Sequence, residues 1–303
     1  MNNTFDIIIP TMNNLQELKK CLQGFKNQSF TDFRIFICID GSTDGTIEYL
    51  EETKYNFNME VLTHPGNAHR GRNETRNLAL KKISAKYIMI FDSDIVPDAD
   101  LLKKHFDLLE EKDCVSVGEV IYENNKENVW ALYLQTRGKN KYDDLSEIPV
   151  YYLNTQNVAF KSNYFIELGG QDPELSENYG GDDTMLGYMI GKEFNIPAMF
   201  NKCAFGFSYM DKTLNKALMQ MREFGAVNLK IIRRKYPEFK QIFRFDIIES
   251  RSLHYKLFRS FLNYGIINLL MKIIVFLPST LKVKTVHYLV FYSIYKGYKT
   301  GKY

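Results

Sequence analysis

The chain has few cysteines, and no two of them are close together. Its 303 residues contain four, namely Cys21, Cys38, Cys114 and Cys203. Their wide separation excludes the paired spacing of a zinc site or of a disulfide framework. Because three of the four fall in apolar stretches typical of strands or helices, we expect buried free thiols, as in a reducing cytosol.

An excess of charge of one sign is also missing. The formal net charge is +3, which indicates neither a nucleic-acid-binding protein nor an acidic scavenger, so we expect no nucleic-acid partner. No basic stretch precedes a hydrophobic segment at the N-terminus, and we predict a cytoplasmic protein without a secretory signal. With 45% apolar residues, the chain can bury a full core as one large domain or one domain with an appendage.

The first hundred residues alternate between strand-like and helix-like patterns. Short apolar runs predict strands at 5–9, 33–39, 59–62 and 87–91. Apolar residues at helical spacing predict helices at 15–25, through Ile47 and Leu50, and at 74–83. This order favours an α/β fold with a mostly parallel central sheet and right-handed crossovers.

Two carboxylates one residue apart, Asp92 and Asp94, directly follow the apolar run 87–91. Ligands of open α/β sheets bind beyond the carboxyl ends of strands, where loops 10–14 and 40–45 should also gather. A hard divalent cation takes one or two carboxylates and completes its shell with phosphate and water. The pair therefore indicates a cation and a diphosphate. The alternative is a local turn, with Asp98 capping the next helix.

From residue 114 the pattern is less regular. We predict strands at 114–122, 157–160 and 196–200, a short helix capped by Ser162, and a longer helix that opens at Asp182. Residues 122–149 are polar, aromatic and poorly periodic, and we interpret them as a mobile or acceptor-facing segment. Beyond residue 212 the chain becomes helical and basic.

Four motifs, in order, resemble the GT-A glycosyltransferases, specifically the large inverting family 2. They are residues 7–13 (IIIPTMN), residues 39–46 (IDGSTDGT), Arg76-Asn77 ahead of residues 91–94 (FDSD), and residues 157–160 (NVAF) with 169–172 (GGQD) and 179–183 (YGGDD). Each motif alone is weak or moderate, whereas four in register are a specific signal. The resemblance covers about residues 5–210.

This resemblance implies a Rossmann-like GT-A catalytic domain at 1–210, followed by a helical, basic and apolar C-terminal region at 211–303. The nucleotide-binding half would be about 1–113 and the acceptor-binding half about 114–210. It implies an inverting, hexosyltransferase-type enzyme (EC 2.4) that uses a nucleotide diphosphate sugar, expected to be a UDP-sugar. The acceptor would be a hydroxyl of a glycan or lipid-linked glycan in cell-surface polysaccharide or glycoconjugate synthesis.

The resemblance also assigns the donor side of the site. Asp94 and Asp92, with Ser93 between them, are the implied ligands of Mn2+ or Mg2+ and of the diphosphate. Such a cation stabilises the charge of the departing diphosphate. Arg76 is expected to add a fixed positive charge nearby. Alternatively, it is a solvated residue on the helix 74–83.

The nucleoside contacts are assigned to the first two loops. Asp40 is the candidate acceptor for the imide N–H of uracil, unless it only closes an Asx turn. Pro10, Thr11 and Asn13 belong to the implied nucleotide-binding loop, although a Pro-Thr-x-Asn sequence is also an ordinary helix start.

The resemblance makes Asp183 the general base that takes the acceptor proton, with Asp182 orienting the acceptor. A general base must reach the proton that it removes at hydrogen-bond distance. The alternative is that two acids at a helix start simply interact favourably with the helix dipole.

The sequence departs from the family pattern in three places. Ile39 replaces a frequent acid, Asp182 replaces a frequent Glu, and no histidine lies between His105 and His254. Many relatives use a histidine there as a further metal ligand. Metal ligation is therefore expected to rest on the two acids of the Asp-Ser-Asp motif, the diphosphate and water.

Residues 251–303 combine apolar and basic side chains. The apolar residues include Leu253, Leu257, Phe258, Phe261 and Leu262. The apolar stretch at 265–277 is shorter than the roughly 20 residues of a membrane-spanning helix. We expect peripheral contact of 251–303 with the inner face of the cell membrane. The alternative is packing against the catalytic domain or against a second subunit, as in a homodimer.

Two other functions compete with glycosyl transfer. A sugar nucleotidyltransferase of related fold would be expected to have a Gly-rich, basic phosphate loop near the N-terminus, but residues 10–15 contain neither Gly nor Lys. A non-catalytic carbohydrate-binding homologue is disfavoured by the retention of Asp92, Asp94 and Asp183.

Overall fold

The structure, a computed structural model, describes residues 3–240 and 242–303. Residues 1, 2 and 241, which belong to the two predicted domains, lie outside the described residues, as does the side chain of Phe258. Within the described part there are nine strands and thirteen α-helices.

The strands are β1 (Phe5–Thr11), β2 (Phe33–Ile39), β3 (Asn58–Thr63), β4 (Tyr87–Phe91), β5 (Val96–Pro97), β6 (Val115–Tyr122), β7 (Ser146–Ile148), β8 (Asn157–Lys161) and β9 (Ala198–Ser208). The helices are α1 (Leu15–Lys26), α2 (Thr46–Glu52), α3 (Arg72–Asn77), α4 (Leu101–Glu111), α5 (Val129–Gln135), α6 (Ser162–Glu167), α7 (Asp182–Phe194), α8 (Leu214–Ala226), α9 (Asn228–Lys235), α10 (Phe245–Glu249), α11 (Leu253–Ser260), α12 (Tyr264–Ile273) and α13 (Ser279–Thr300). Short 3-10 helices lie at Pro65–Asn67, Gly138–Lys141, Val150–Tyr152, Pro173–Leu175, Pro237–Lys240 and Ile274–Phe276.

The described chain divides into two compact units. Unit 1 comprises residues 1–123, 137–177 and 182–209, and unit 2 comprises residues 124–136, 178–181 and 210–303. We placed residues 124–136 and 178–181 with the catalytic part of the chain, and the structure groups them with the C-terminal helices. The functional division of the chain at residue 210 stays a prediction.

All nine strands form one sheet in unit 1, in the order β3-β2-β1-β4-β8-β6-β9-β5, with β7 paired to β9. The pairs β3·β2, β2·β1 and β1·β4 are parallel. Strand β8 runs antiparallel to both β4 and β6. The predicted α/β fold with a central sheet flanked by helices is confirmed, and the carboxyl ends of β1, β2 and β4 share one edge.

The apolar runs form strands because both faces of this sheet are covered. All five residues of β4 are buried, as expected for an interior strand of a sheet that helices cover on both faces. On one face, Ile88 and Ile90 belong to the core that includes Phe165 of α6 and Leu186 of α7. On the other, the Phe91 ring packs edge-on against Phe25 of α1 at 5.3 Å between centroids. Successive residues of a strand alternate between the faces, which explains this division.

Helix α3 is shorter than predicted. We expected a helix at 74–83, but α3 ends at Asn77. The backbone N–H groups of Leu78, Ala79 and Leu80 each bond to a carbonyl three residues earlier. This tighter pattern closes turns instead of extending an α-helix.

The predicted cap at Ser162 is wrong, and so is the alternative in which Asp98 caps the helix that follows it. Helix α6 already includes Ser162, so Lys161 is its N-cap residue, and the buried Ser162 hydroxyl has no partner within the described residues. Helix α4 begins after Asp100, while the Asp98 carboxylate accepts from the Asp100 backbone N–H at 3.1 Å. Ser162 already lies inside the first turn of α6, and Asp98 lies two residues before the N-cap position of α4. Neither side chain is therefore placed to cap its helix.

The segment 122–149 contains a helix that we did not predict. In unit 2, α5 begins after Asn128, whose side-chain oxygen accepts from the N–H groups of Trp130 and Ala131. The Trp130 side chain is 1% exposed. Seven residues are too few to display a helical period clearly, so only the Asn cap signalled this element.

The four cysteines are free, and Cys21, Cys38 and Cys114 are buried as expected. Cys203 is exposed, which the apolar setting of β9 did not indicate. Its thiol lies 3.3 Å from the Asp144 carboxylate.

Unit 2 has its own apolar core, which α5, α8 and α13 build with α12. It includes Trp130, Met221 and Leu289. Two glycines allow α8 and α13 to approach closely, because a Cβ at Gly225 or Gly297 would overlap backbone atoms of the other helix. Among the described residues, no helix has both the length and the apolar character needed to cross a membrane.

Candidate active site

The Asp-Ser-Asp motif lies at the end of β4. The Asp92 N–H donates to the Gln156 carbonyl at 3.2 Å, and the Asp92 carbonyl accepts from the Ile95 N–H at 3.3 Å, so the chain turns directly after the strand. The Asp92 side chain is 26% exposed, and Asp94 is exposed. Both acids are therefore accessible to a ligand at the edge where β1 and β2 also end.

The loop after β1 is joined to the loops after β2 and β4. The Asn14 amide donates to the hydroxyl of the buried Ser93 at 3.2 Å. The Asn13 side-chain oxygen accepts from the Thr43 N–H at 2.8 Å, and the Asn13 N–H donates to the Ser42 hydroxyl at 3.0 Å. The structure thus brings the residues around Asn13 and Ser93 together, as the sheet order predicted.

Thr11 and Pro10 end strand β1. Pro10 is half-buried and lies opposite Cys38 of β2. Thr11 is 3% exposed, and its hydroxyl has no hydrogen-bond partner within the described residues. A buried hydroxyl without a partner is uncommon, because desolvation of a polar group costs free energy unless a hydrogen bond replaces water.

Asp40 does not close the local turn that we weighed as its alternative role. Its carboxylate accepts from the backbone N–H of Arg70 at 2.6 Å and of Gly71 at 3.1 Å. It also pairs with the His69 ring at 2.8 Å. With 4% exposure, Asp40 holds the chain that leads into α3. Its predicted contact with the nucleotide base stays a prediction.

Arg76 links the two groups of acids. One guanidinium nitrogen lies 3.3 Å from Asp92, and the other lies 3.3 Å from Asp182 and 3.3 Å from the Gln171 side-chain oxygen. Arg76 is 2% exposed, so the alternative of a solvated helix residue is wrong. A buried guanidinium that bridges two carboxylates fixes the strand end and the helix start relative to each other.

A turn at residues 169–171 holds Arg76 in place. The Asn77 amide donates to the Gln171 carbonyl at 2.8 Å, and its oxygen accepts from the Gln171 N–H at 2.8 Å. Gly170 has a φ of +88°, and a Cβ there would overlap the Asn77 side chain. Glycine is required at this position for both reasons.

The two acids at the start of α7 have different surroundings. Asp182 is 6% exposed and faces two arginines, Arg76 at 3.3 Å and Arg72 at 3.8 Å. Asp183 accepts a 2.5 Å hydrogen bond from the hydroxyl of Thr155. Thr155 is 1% exposed and lies two residues before the start of β8.

These surroundings separate the pKa values of the acids. Burial raises the pKa of Asp183 to about 6, and the Asp182 carboxylate adds to this rise, while Arg76 and Thr155 oppose it. Burial likewise raises the pKa of Asp92 to about 6, with Arg76 opposing the rise and Asp94 adding to it. For Asp182, burial acts upward but the two arginines outweigh it, so its pKa is lowered.

Asp92 and Asp94 are suited to bind a cation whose remaining ligands come from a substrate and from water. Among the described residues, no group of three or more His, Cys, Asp or Glu side chains is arranged to hold a metal ion. Asp92 and Asp94 are close enough for the second to raise the pKa of the first. Mg2+ and Mn2+ accept one or two protein carboxylates when phosphate and water complete the shell. The metal ligands stay a prediction.

The family model of glycosyl transferase family 2 matches residues 6–168, which is more than half of the chain. The chain belongs to glycosyl transferase family 2. The predicted family and the prediction of a transferase enzyme are confirmed, and the sugar nucleotidyltransferase alternative is set aside.

Curated relatives of this family 2 glycosyltransferase include two chondroitin synthases. The one from Pasteurella multocida (strain Pm70) is 24% identical over 272 residues, which are 78% of this chain and 28% of the relative. The one from Escherichia coli is 23% identical over 282 residues, which are 82% of this chain and 40% of the relative. The chain thus spans less than half the length of these relatives.

Solved structures of glycosyltransferases share the fold. The mannosyltransferase PcManGT from Pyrobaculum calidifontis, in complex with GDP-Man and Mn2+, has a TM-score of 0.62 at 16% identity and covers 99% of this chain and 88% of its own. S. aureus TarS 1-349, in complex with UDP-GlcNAc, has a TM-score of 0.58 at 17% identity and covers 99% and 93%. At these identities the likeness concerns the GT-A fold alone.

Sequence reasoning missed three side chains that contact the site of this family 2 enzyme. Thr155 bonds to Asp183, Gln171 bonds to Arg76, and Arg72 faces Asp182. Gln171 lies within a motif that we quoted, and Arg72 lies one helical turn before Arg76, which puts both arginines on one face. No local pattern indicated Thr155, because its partner is 28 residues away.

Proposed function

We propose that this glycosyltransferase moves a sugar, with inversion, from a nucleotide diphosphate sugar to a hydroxyl of a glycan or lipid-linked glycan acceptor. The observation that supports this best is the Arg76 bridge between Asp92 and Asp182. It joins the predicted diphosphate side of the site to the predicted acceptor side. Such a transfer needs a donor, an acceptor and a base in one cleft.

Asp183 is the general base in this proposal. Thr155 donates to one carboxylate oxygen, Oδ1, and we assign the acceptor proton to the other, Oδ2. As the acceptor oxygen attacks the anomeric carbon, its proton moves to Asp183 and the bond from that carbon to the diphosphate breaks. A pKa of about 6 keeps most of Asp183 ionised at neutral pH while leaving it basic enough to accept a proton.

Asp182 holds Arg76 and Arg72 in position on the acceptor side. Its carboxylate is paired with both arginines, and its lowered pKa keeps it negative. This disfavours Asp182 as the base, because a carboxylate held by two cations takes up a proton poorly. The predicted role of Asp182 in orienting the acceptor stays a prediction.

Asp92 and Asp94 would hold Mn2+ or Mg2+ together with the donor diphosphate. The bound cation supplies charge relief for the departing diphosphate. The chain itself contributes the Arg76 guanidinium on the same side, 3.3 Å from Asp92. Ser93 lies between the two acids, and its hydroxyl accepts from Asn14, which fixes the turn.

We propose a UDP-sugar as the donor. The S. aureus TarS structure is a complex with UDP-GlcNAc, whereas the PcManGT structure is a complex with GDP-Man, so a UDP-sugar and a GDP-sugar are the first pair to compare. Asp40, Pro10, Thr11 and Asn13 are the proposed contacts of the nucleoside. The unpartnered Thr11 hydroxyl supports this, because a ligand would supply the hydrogen bond that it lacks.

The acceptor proposal extends to surface polysaccharide synthesis. Relatives named chondroitin synthase and poly(ribitol-phosphate) beta-N-acetylglucosaminyltransferase act, by their names, on the polymers chondroitin and poly(ribitol-phosphate). The predicted cytoplasmic location at the inner face of the cell membrane and the predicted homodimer belong to the same proposal.

A binding and turnover experiment tests the proposal. The thermal midpoint would be measured with UDP-sugars and GDP-sugars, each with and without Mn2+, followed by an assay of sugar-nucleotide hydrolysis. We expect a rise in midpoint for a UDP-sugar that depends on Mn2+, because a ligand that binds only the folded state stabilises it, by an amount that grows with the logarithm of its concentration relative to its Kd. Asp94→Asn should remove the Mn2+ dependence, while the exposed-lysine control Lys20→Gln should retain it. Stabilisation by no nucleotide sugar, or hydrolysis that is equal with and without metal, would contradict the proposal.

A further inference from the structure

Unit 2 exposes an unusual number of apolar side chains in one segment. Of sixteen large apolar side chains exposed by the described residues, nine lie between residues 253 and 281. They are Leu253, Leu257, Phe261, Tyr264, Leu269, Ile273, Val275, Phe276 and Leu281. Scattered apolar residues are normal on a protein surface, but a concentration of this kind marks an interaction surface. We call residues 253–281 the apolar segment.

The spacing of these residues places them on helix faces. Leu253 and Leu257 are four residues apart and lie on one side of α11, and Phe261 follows directly after the helix ends at Ser260. Their exposed fractions are 72%, 56% and 61%. A helix that presents a stripe of this kind normally buries it against a partner.

Helix α12 is apolar on two opposite sides. Leu270 and Met271 pack into the core of unit 2. On the other side, Leu269 is 58% exposed and Ile273, four residues later, is 37% exposed. Packing within unit 2 therefore explains only one of its two apolar sides.

The short 3-10 helix after α12 presents the most exposed ring among the described side chains of the segment. Phe276 is 84% exposed and its neighbour Val275 is 58% exposed. Pro278 then begins the approach to α13. Aromatic side chains at such a position are typical of proteins that enter the boundary between lipid headgroups and acyl chains.

The charge of the region identifies the partner. Residues 251–303 contain nine Lys and Arg and no Asp or Glu, whereas the whole chain is close to neutral at +3. Arg251, Lys256, Lys272 and Lys284 are exposed. A basic surface of this kind attracts an anionic lipid leaflet. It also opposes a symmetric contact with a second copy, which would bring the same positive patch against itself.

We propose that the apolar segment is a docking surface for an anionic membrane. Its exposed apolar side chains enter the headgroup boundary, and the neighbouring lysines pair with acidic headgroups. This surface lies within unit 2 and is independent of the proposed transfer reaction, so it stands or fails separately from the assignment of Asp183.

Co-sedimentation of the full chain with lipid vesicles tests the docking surface. Vesicles of phosphatidylcholine alone would be compared with vesicles that contain phosphatidylglycerol. We expect binding to the anionic vesicles only, and weaker binding at 1 M salt, where the Debye length falls from about 10 Å at 0.1 M to about 3 Å.

Two sets of substitutions separate the contributions. The triple variant Lys256→Glu, Lys272→Glu and Lys284→Glu should weaken binding about a hundredfold or more, since each basic residue near the surface contributes about a fivefold change. The triple variant Leu257→Gln, Leu269→Gln and Phe276→Gln should weaken it at least about tenfold.

Matched controls lie outside the segment. Met219→Gln changes a side chain in α8 that is 67% exposed, and Lys20→Glu reverses an exposed charge. Both should bind as the wild type does. Thermal midpoints measured for every variant report folding separately, because substitutions of exposed side chains usually change stability little.

Three outcomes would overturn the docking surface. They are equal binding to neutral and anionic vesicles, no binding of the wild type to either, and wild-type binding by both triple variants. The molecular mass in solution is measured alongside. If the apolar triple variant converts a wild-type dimer to a monomer and neither protein binds vesicles, a second copy is the partner instead.

Discussion

Arg76 lies between two pairs of acids, Asp92 with Asp94 and Asp182 with Asp183. Each pair has one acid in contact with the arginine and one that is not. At the strand end, Asp92 has one contact to Arg76 and Asp94 is exposed. At the helix start, Asp182 is buried between Arg76 and Arg72, while Asp183 bonds to the neutral hydroxyl of Thr155. Neighbouring carboxylates of the same type therefore have pKa values that shift in opposite directions.

This difference shows how one cluster of acids can contain a carboxylate that stays ionised, Asp182, next to a carboxylate that can gain and lose a proton, Asp183. Two arginines near Asp182, the buried Arg76 and the partly exposed Arg72, keep it ionised, whereas burial without a direct cation contact makes Asp183 more basic. Acids whose environments push their pKa values apart commonly divide the roles of base and electrostatic partner.

The largest effect is expected at the proposed base. Asp183→Asn keeps the size of the side chain but removes its basicity, so kcat should fall about 10²- to 10⁴-fold. The affinity for the nucleotide should remain close to that of the wild type, as measured by calorimetry. Glu193→Gln, an exposed acid on the same helix, is the matched control and should retain full activity. Turnover of Asp183→Asn at the wild-type rate would remove Asp183 from the role.

Removing the shared arginine should affect both pairs at once. Arg76→Met leaves the buried Asp182 without its closest cation, and the loss of one partner of a buried ion pair costs about 3–5 kcal/mol of unfolding free energy. We also expect weaker binding of the nucleotide sugar, because Asp92 loses the same partner. Denaturant unfolding and calorimetry measure the two effects.

The control for Arg76 is a second buried ion pair in unit 1. Arg34 contacts the fully buried Asp6 at 2.9 Å, and we assign no substrate to it. Arg34→Met should lower stability comparably while the folded protein keeps its affinity for the nucleotide sugar. If both variants lose affinity to the same extent, the effect of Arg76 is a consequence of stability alone.

A smaller effect is expected at Thr155. Its hydroxyl lowers the pKa of Asp183, so Thr155→Val should raise that pKa by about one unit, the equivalent of about 1.4 kcal/mol from a lost hydrogen bond to a charged group. Activity of Thr155→Val at pH 6 should fall about fivefold relative to the wild type, because the ionised fraction of Asp183 falls from about one half to about one tenth, and it should recover as the pH rises. Thr155→Ser retains the hydroxyl and should restore the wild-type profile. A uniform loss at every pH would indicate a purely structural role for Thr155.

The first half of the sheet could be predicted from the sequence because both faces of its strands are buried. The apolar run 33–39 became β2 with the same bounds, and the run 87–91 became β4. Their continuous burial makes the pattern independent of distant partners. The motifs at residues 92–94 and 182–183 also predicted which loop and which helix start would contribute acids.

Other features depended on contacts that no local pattern records. The burial of Arg76 results from residues 92, 171 and 182, which lie 16 to 106 positions away in the chain. The Asp40 carboxylate accepts hydrogen bonds from backbone N–H groups that lie 30 and 31 residues later in the chain. Tertiary packing also decided the end of α3 at Asn77, where propensity alone favoured a longer helix.

The pH dependence of kcat/KM for the wild type and for Asp183→Asn, at saturating metal, tests the central claim most directly. A general base acts in its ionised form, and the pKa of Asp183 is about 6. Wild-type activity should therefore be lost as the pH falls through about 6, and the residual activity of Asp183→Asn should lack this acid limb. The same acid limb in both proteins would contradict the assignment of Asp183 as the base that faces the acceptor.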